Sequence, residues 1–142
     1  MTTQTFTVTI SLPYKALAIH AAGHWRSKTA PTKAHRTEVK YLTMQAISKA
    51  GISIPVQKVR VSSEWFMGPT PAQKDRYRPT DVQNAIGALK AAFDGVADSG
   101  LIVSDNHEHL VIGETTLHRT AKGHKGRACI ELVIEILDGG LG

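Results

Sequence analysis

Between Asp81 and Glu114 a basic chain turns acidic. The segment holds six of the twelve acidic residues (Asp81, Asp94, Asp98, Asp105, Glu108 and Glu114) and a single base, Lys90. Carboxylates gathered in a protein of net charge +5 are costly if its partner is a polyanion, unless a cation sits between them. Hard cations such as Mg2+, with Mn2+ as a substitute, take carboxylate oxygens and keep several waters. They polarise a phosphodiester and activate the water that attacks it. The competing reading is a set of acids collected on one exposed helix face. A second chemistry is written at Asp105-Asn106-His107-Glu108-His109, where alternate histidines on extended chain can share Zn2+ or Mn2+; the alternative is a pair of solvent-exposed loop histidines.

The bases lie elsewhere. Lys15 to Lys40 carries six bases and one acid, Glu38. Lys33, Arg36 and Lys40 are spaced i, i+3, i+7 and so share one helix face. Arg26 and Lys28 precede them, Lys74, Arg76 and Arg78 follow in a proline-containing loop, and Arg119, Lys122, Lys125 and Arg127 punctuate a glycine-containing stretch without an acid. Each base alone is an ordinary solvated residue; three separate basic segments together point to phosphate contact and a nucleic-acid partner. Trp25 is either a stacking platform for an exposed base or a core residue.

These side chains must be positioned by elements that the hydrophobic spacing predicts. Phe6, Val8, Ile10 and Leu12 alternate with polar residues over Thr5 to Leu12, a half-buried strand ended by Pro13. Val39, Leu42, Ala46 and Ala50 stripe a helix from Pro31 to Ala50, with Gly51 as its stop. Val59, Val61, Ser63, Trp65 and Met67 share one face of a second strand, and Gly68 to Thr80 is a loop. A second helix runs from Asp81 to Asp98 and Gly100 closes it, with Val82, Ile86, Leu89, Phe93 and Val96 inward. On that helix Gln83, Gly87, Lys90 and Asp94 fall on the opposite side, and Gly87 leaves space for a phosphate. Thr80-Asp81-Val82-Gln83 fits a capping box, with Asp81 itself a further N-cap candidate. Leu110 to His118 is a third strand. Ala128, Ile130, Leu132, Ile134 and Ile136 form the buried face of a fourth, and His118 to Arg127 is expected to be the basic tip of a hairpin joining the two. The order β-α-β-α-β-β predicts an α+β fold, a mixed sheet with helices packed on it, in a single domain over 1–142 with a loose tail at 138–142.

A chain of 142 residues fits one domain. One cysteine, Cys129, excludes an internal disulfide framework and a cysteine-based zinc cage, and its strand position makes it a packing residue. The chain contains no apolar run long enough to span a bilayer, and its first twelve residues do not resemble a signal peptide; a cytoplasmic protein without a membrane partner is the expectation.

Three stretches taken together resemble a known family: Arg78-Pro79-Thr80-Asp81-Val82-Gln83-Asn84, Lys90-Ala91-Ala92-Phe93-Asp94-Gly95, and Gly100-Leu101-Ile102-Val103-Ser104-Asp105. They resemble the RusA family of Holliday-junction resolvases, small dimeric Mg2+-dependent endodeoxyribonucleases, whose signature is R-x-x-D-x-D-N, a lysine-containing helix, then G-h-h-x-D-D. His24-Trp25-Arg26-Ser27-Lys28 with Thr32, Lys33 and Arg36 is similar to the basic first-helix region of phage-borne members, and the resemblance extends over about Thr5 to Ile136. It implies that Asp81 and Asp105 are metal-binding acids and that Lys90 is the catalytic lysine; Asp94 or Gln83 is then expected to complete or orient the metal's shell. The implied substrate is a four-way DNA junction cut by a homodimer. Gln83 stands where the family has its second Asp, Ser104 replaces the first Asp of the downstream pair, and Lys90 follows Asn84 by six residues where shorter members have three. The loss of a carboxylate at position 83 leaves open an alternative, a branched-DNA-binding protein of the same fold with weak or absent cleavage.

Overall fold

The computed structural model describes residues 4–17, 25–68, 76–120 and 128–137, the first four residues of the long helix in backbone only. Its elements run β1 (Gln4–Ile10), a short 3₁₀ turn (Lys15–Leu17), α1 (Trp25–Ala50), β2 (Lys58–Phe66), α2 (Val82–Gly87), α3 (Lys90–Asp98), β3 (Leu110–His118) and β4 (Cys129–Leu137). The four strands form one mixed sheet in the order β1-β4-β2-β3, so the protein is an α+β domain with its helices packed on the sheet. No helix among the described residues is long and apolar enough to cross a membrane.

Strand alternation decides the core. Phe6, Val8 and Ile10 of β1, Val59, Val61, Ser63 and Trp65 of β2, and Ile130, Leu132 and Ile134 of β4 are buried, as their period of two requires. Ile136 is only half-buried at the strand end, and Leu12 is fully buried although β1 stops at Ile10. β2 pairs with β3 in parallel and with β4 antiparallel. β3 and β4 are therefore not neighbours, because β2 stands between them. The expected hairpin is instead a crossover from the sheet edge, since alternation fixes which face a strand buries but not which strand lies beside it.

The helices differ from expectation in three ways. α1 starts at Trp25, six residues before Pro31, so the proline lies inside the helix, where it lacks an N–H and its ring crowds the carbonyl four residues back. Its buried row is His35, Val39, Thr43 and Ile47, with Leu42 and Ala46 half-buried and Ala50 exposed. The expected single helix over 81–98 is two. α2 ends at Gly87, the Ala88 amide bonds back to Asn84 and Ile86 carbonyls, and the chain tightens before α3 begins at Lys90. Glycine in a helix interior is about 1 kcal/mol less favourable than alanine, and the break falls there. Gly51 and Gly100 end α1 and α3 with φ of 68° and 89°, as read from sequence.

α1 and α3 pack closely through Gly95. A Cβ placed there would lie 2.6 Å from the Arg36 carbonyl oxygen and 2.8 Å from the Val39 Cβ. This approach is what brings the α1 cations onto the acids of α3.

Candidate active site

Lys90 opens α3 and Asp94 follows one turn later, so both side chains stand on the same face. The chain then turns at Gly100 and comes back with Asp105 beside them. The Lys90 Nζ donates to Asp105 Oδ2 at 2.5 Å and to Asp94 Oδ1 at 3.1 Å, so one ammonium bridges the two carboxyl groups. Both acids are about three-quarters buried while Lys90 is 69% exposed, so the pair opens to solvent on the lysine side.

The electrostatics separate the two acids. Burial, then the neighbouring Asp105, pushes the Asp94 carboxyl above its usual range, against the pull of Lys90. The hydrogen bond from Lys90, then the adjoining Asp94 carboxyl, holds the Asp105 carboxyl below the ordinary value. Asp105 and Asp94 in turn raise the Lys90 ammonium. Asp105 is thus the ionised member and Asp94 the one that more readily keeps a proton.

Arg36 reaches this cluster from α1. It holds Asp98 through Nε at 2.5 Å and Nη2 at 2.9 Å, and its Nη1 stands 3.8 Å from Asp94. The pairing lowers the Asp98 carboxyl and raises the guanidinium. Asp98 was not among the sequence-derived site residues, and its partner lies 62 positions away. Only its i, i+4 relation to Asp94 was a signal.

The remaining candidates separate. Asp81 is the N-cap of α2, its Oδ1 accepting from the Asn84 amide at 2.8 Å and its Oδ2 from Asn84 Nδ2 at 2.9 Å. Gln83 is exposed on the first turn of α2, and the break after Gly87 removes the continuous face that was to join it to Lys90 and Asp94. Arg76 and Arg78 bind backbone: Arg76 Nη1 donates to the Leu12 carbonyl at 2.9 Å and its guanidinium lies 3.9 Å from the Tyr14 ring centroid, while Arg78 Nε donates to the Met67 carbonyl at 2.8 Å. Lys33 is exposed, and Lys40 is half-buried with its Nζ 5.2 Å from the Tyr41 ring centroid. Arg119 is exposed at the end of β3. Lys74, Lys122, Lys125 and Arg127 lie outside the described residues, as do the side chains of Trp25, Arg26 and Lys28. The Asn106–His109 segment is a turn, not extended chain: the His109 and Leu110 amides bond to the Asn106 carbonyl, and His109 Nδ1 sits 3.0 Å from the Gln57 carbonyl. Alternate histidines on a strand are therefore not what this segment offers.

The chemistry of the donor set suits a hard cation. Two carboxylates that share one ammonium repel one another when both are ionised, and burial adds to that cost. Among the described residues no group of three or more histidine, cysteine or acidic side chains stands close enough to hold a metal ion, and the cation that Asp94 and Asp105 share is the Lys90 ammonium. No family model matches the chain, and no curated protein matches it.

Proposed function

We propose that the chain is an Mg2+-dependent, structure-selective endodeoxyribonuclease that resolves four-way DNA junctions as a homodimer, the reading that its resemblance to the RusA family implies. One observation carries it: Asp94, Asp105 and Lys90 meet in a half-open cluster with the two acids driven to opposite ionisation preferences. Asp105 and Asp94 would hold the ion; Asp81 and Gln83, which the resemblance also offers as donors, stand apart from them on α2. When bound, the cation supplies charge neutralisation at the phosphate and activation of the attacking water.

The chain's own residues do the rest. Asp105, ionised, presents the fixed negative charge. Asp94 is the group able to take a proton from water and return it. Lys90 carries its ammonium on a flexible, largely exposed stem, so it can turn from the acids to an approaching phosphate and stabilise the charge that develops there. Arg36, bound to Asp98, fixes α1 against α3 and keeps Asp94 in place. Two copies related by a two-fold axis would offer two such clusters to the symmetric strands of a junction.

A binding protein without cleavage is the second reading. It is favoured by Asp81, both of whose carboxylate oxygens are engaged by Asn84, and by the neutral Gln83. Nicking of a synthetic four-way junction with and without Mg2+ or Mn2+ separates the two. The nuclease reading expects paired, metal-dependent cuts that Asp105→Asn abolishes while junction binding persists. Binding without cuts in either metal selects the other.

A further inference from the structure

Because β2 and β3 run parallel, both chains leave the sheet at the same edge. Phe66 stands opposite His118, and the Met67 amide donates to the His118 carbonyl at 2.9 Å. The chain that leaves after Gly68 comes back through Arg78, whose Nε donates to the Met67 and Gly68 carbonyls at 2.8 and 3.3 Å. Those bonds fasten the guanidinium over the end of β2. Arg119, one residue beyond β3, arrives from the neighbouring strand. Between the two arginines lies a cavity of about 330 Å³, completed by Met67, Gly68, Pro79 and Thr80. None of these lining residues is acidic, and the ends of parallel strands are where open sheets take their ligands.

We infer that this cavity is a phosphodiester subsite, holding one backbone phosphate of a DNA strand beside Asp81. The chemistry is specific. Two guanidinium groups from different loops supply charge-assisted donors, one of them anchored before any ligand arrives, and the Thr80 hydroxyl supplies a neutral donor. The volume lies at the lower end of the range for small-molecule sites, about 300–1,000 Å³, so it admits a phosphate with part of its sugar and not a stacked base pair. Thr80 directly precedes Asp81, so a phosphate held here fixes the strand relative to α2. The inference rests on the nucleic-acid reading above for the source of the phosphate, but not on cleavage. Of the twelve sequence-derived phosphate contacts, Arg78 and Arg119 are the two among the described residues that line this cavity.

Two measurements on the full chain test it. The first is a titration with inorganic phosphate at constant ionic strength, followed by the Thr80 amide and arginine side-chain resonances in NMR spectra. Phosphate should shift both in the wild type, in Asp105→Asn and in Lys49→Gln, an exposed charge at the far end of α1. The shifts should be lost in Arg119→Gln. The second is duplex affinity against salt, in which Arg119→Gln should reduce the slope of log K against log[salt] by about 0.9, the release of one phosphate contact, and Lys49→Gln should reduce it by less. Phosphate shifts that are absent from the wild type, or unchanged in Arg119→Gln, overturn the subsite. Shifts lost in Arg119→Gln with an unchanged salt slope also overturn it, because the cavity then takes free phosphate and not a strand. A protein that binds phosphate here but cuts no junction keeps the subsite and loses the nuclease.

Discussion

The two faces of α1 treat polar side chains in opposite ways. Inward, His35 and Thr43 are fully buried, and neither ring nitrogen of His35 nor the Thr43 hydroxyl has a hydrogen-bond partner among the described residues. Outward, one position along, Arg36 makes two bonds to Asp98 and stands near Asp94, and beyond it Lys90 holds Asp94 and Asp105. The inner groups are expensive to charge and bear on stability. The outer groups are partly exposed and paired with one another, so water can replace each contact at little cost.

Acid should break the comparison from the inside. Burial, with Arg76 adding to it and Glu38 opposing, lowers the His35 pKa from 6.5 to about 4. The unfolded chain takes its proton near pH 6.5 and the folded chain does not until about pH 4, so folding stability is unaffected by this group above 6.5 and declines as the pH falls between the two values. That interval, at about 1.36 kcal/mol per pH unit, amounts to roughly 3 kcal/mol. Urea unfolding at a series of pH values should show the decline in the wild type and a flatter profile in His35→Leu. Equal slopes in both proteins would mean that some other group is responsible.

The contact that joins the two faces should come next in size. In Gly95→Ala the new methyl meets the α1 backbone, which cannot move aside as a side-chain tip can. Overpacking of this kind costs about 1–3 kcal/mol, against about 1 kcal/mol gained in helix propensity, so a net loss of up to about 2 kcal/mol in unfolding free energy is expected. A stabilised variant would show that α1 and α3 do not touch at Gly95.

Removal of an outer pair should do least to stability. Arg36→Ala is expected to cost below about 1 kcal/mol, because the guanidinium is nearly half exposed and water replaces the pair. Its clear signature is at the partner: the Asp98 carboxyl, freed of the arginine, rises toward the ordinary 3.8 in an NMR titration. A Asp98 titration that does not move would remove the pair from the account.

The contrast also explains what was legible in the sequence. Strand faces were readable because Val59, Val61, Trp65 and Ile130, Leu132, Ile134 repeat with a period that only a sheet rationalises. His35 and Thr43 were not, since their residue types argue for solvent and only packing under α1 turns them inward. The i, i+4 placement of Lys90 and Asp94 could be counted along the chain. That Asp105 joins them depends on the turn at Gly100 and the loop after it, which spacing alone does not describe; the family resemblance supplied it. The second helix looked continuous because its apolar stripe passes through Leu89, but the break at Gly87 shifts the stripe: on α2 Ala85 is buried while Val82 is exposed and Ile86 half-buried. Arg36 was read as a phosphate ligand from its helical face, but its carboxylate partners on α3 could not be seen from α1 alone.

The claim at the centre of this account is that Asp94 and Asp105 form the cation-binding nucleus. Paramagnetic broadening of NMR signals by substoichiometric Mn2+ tests it without any substrate. Broadening should centre on Asp94, Asp105 and the side chain of Lys90, be reversed by excess Mg2+, and be lost in Asp105→Asn. Broadening that leaves these three residues untouched, or that persists unchanged in Asp105→Asn, would contradict it.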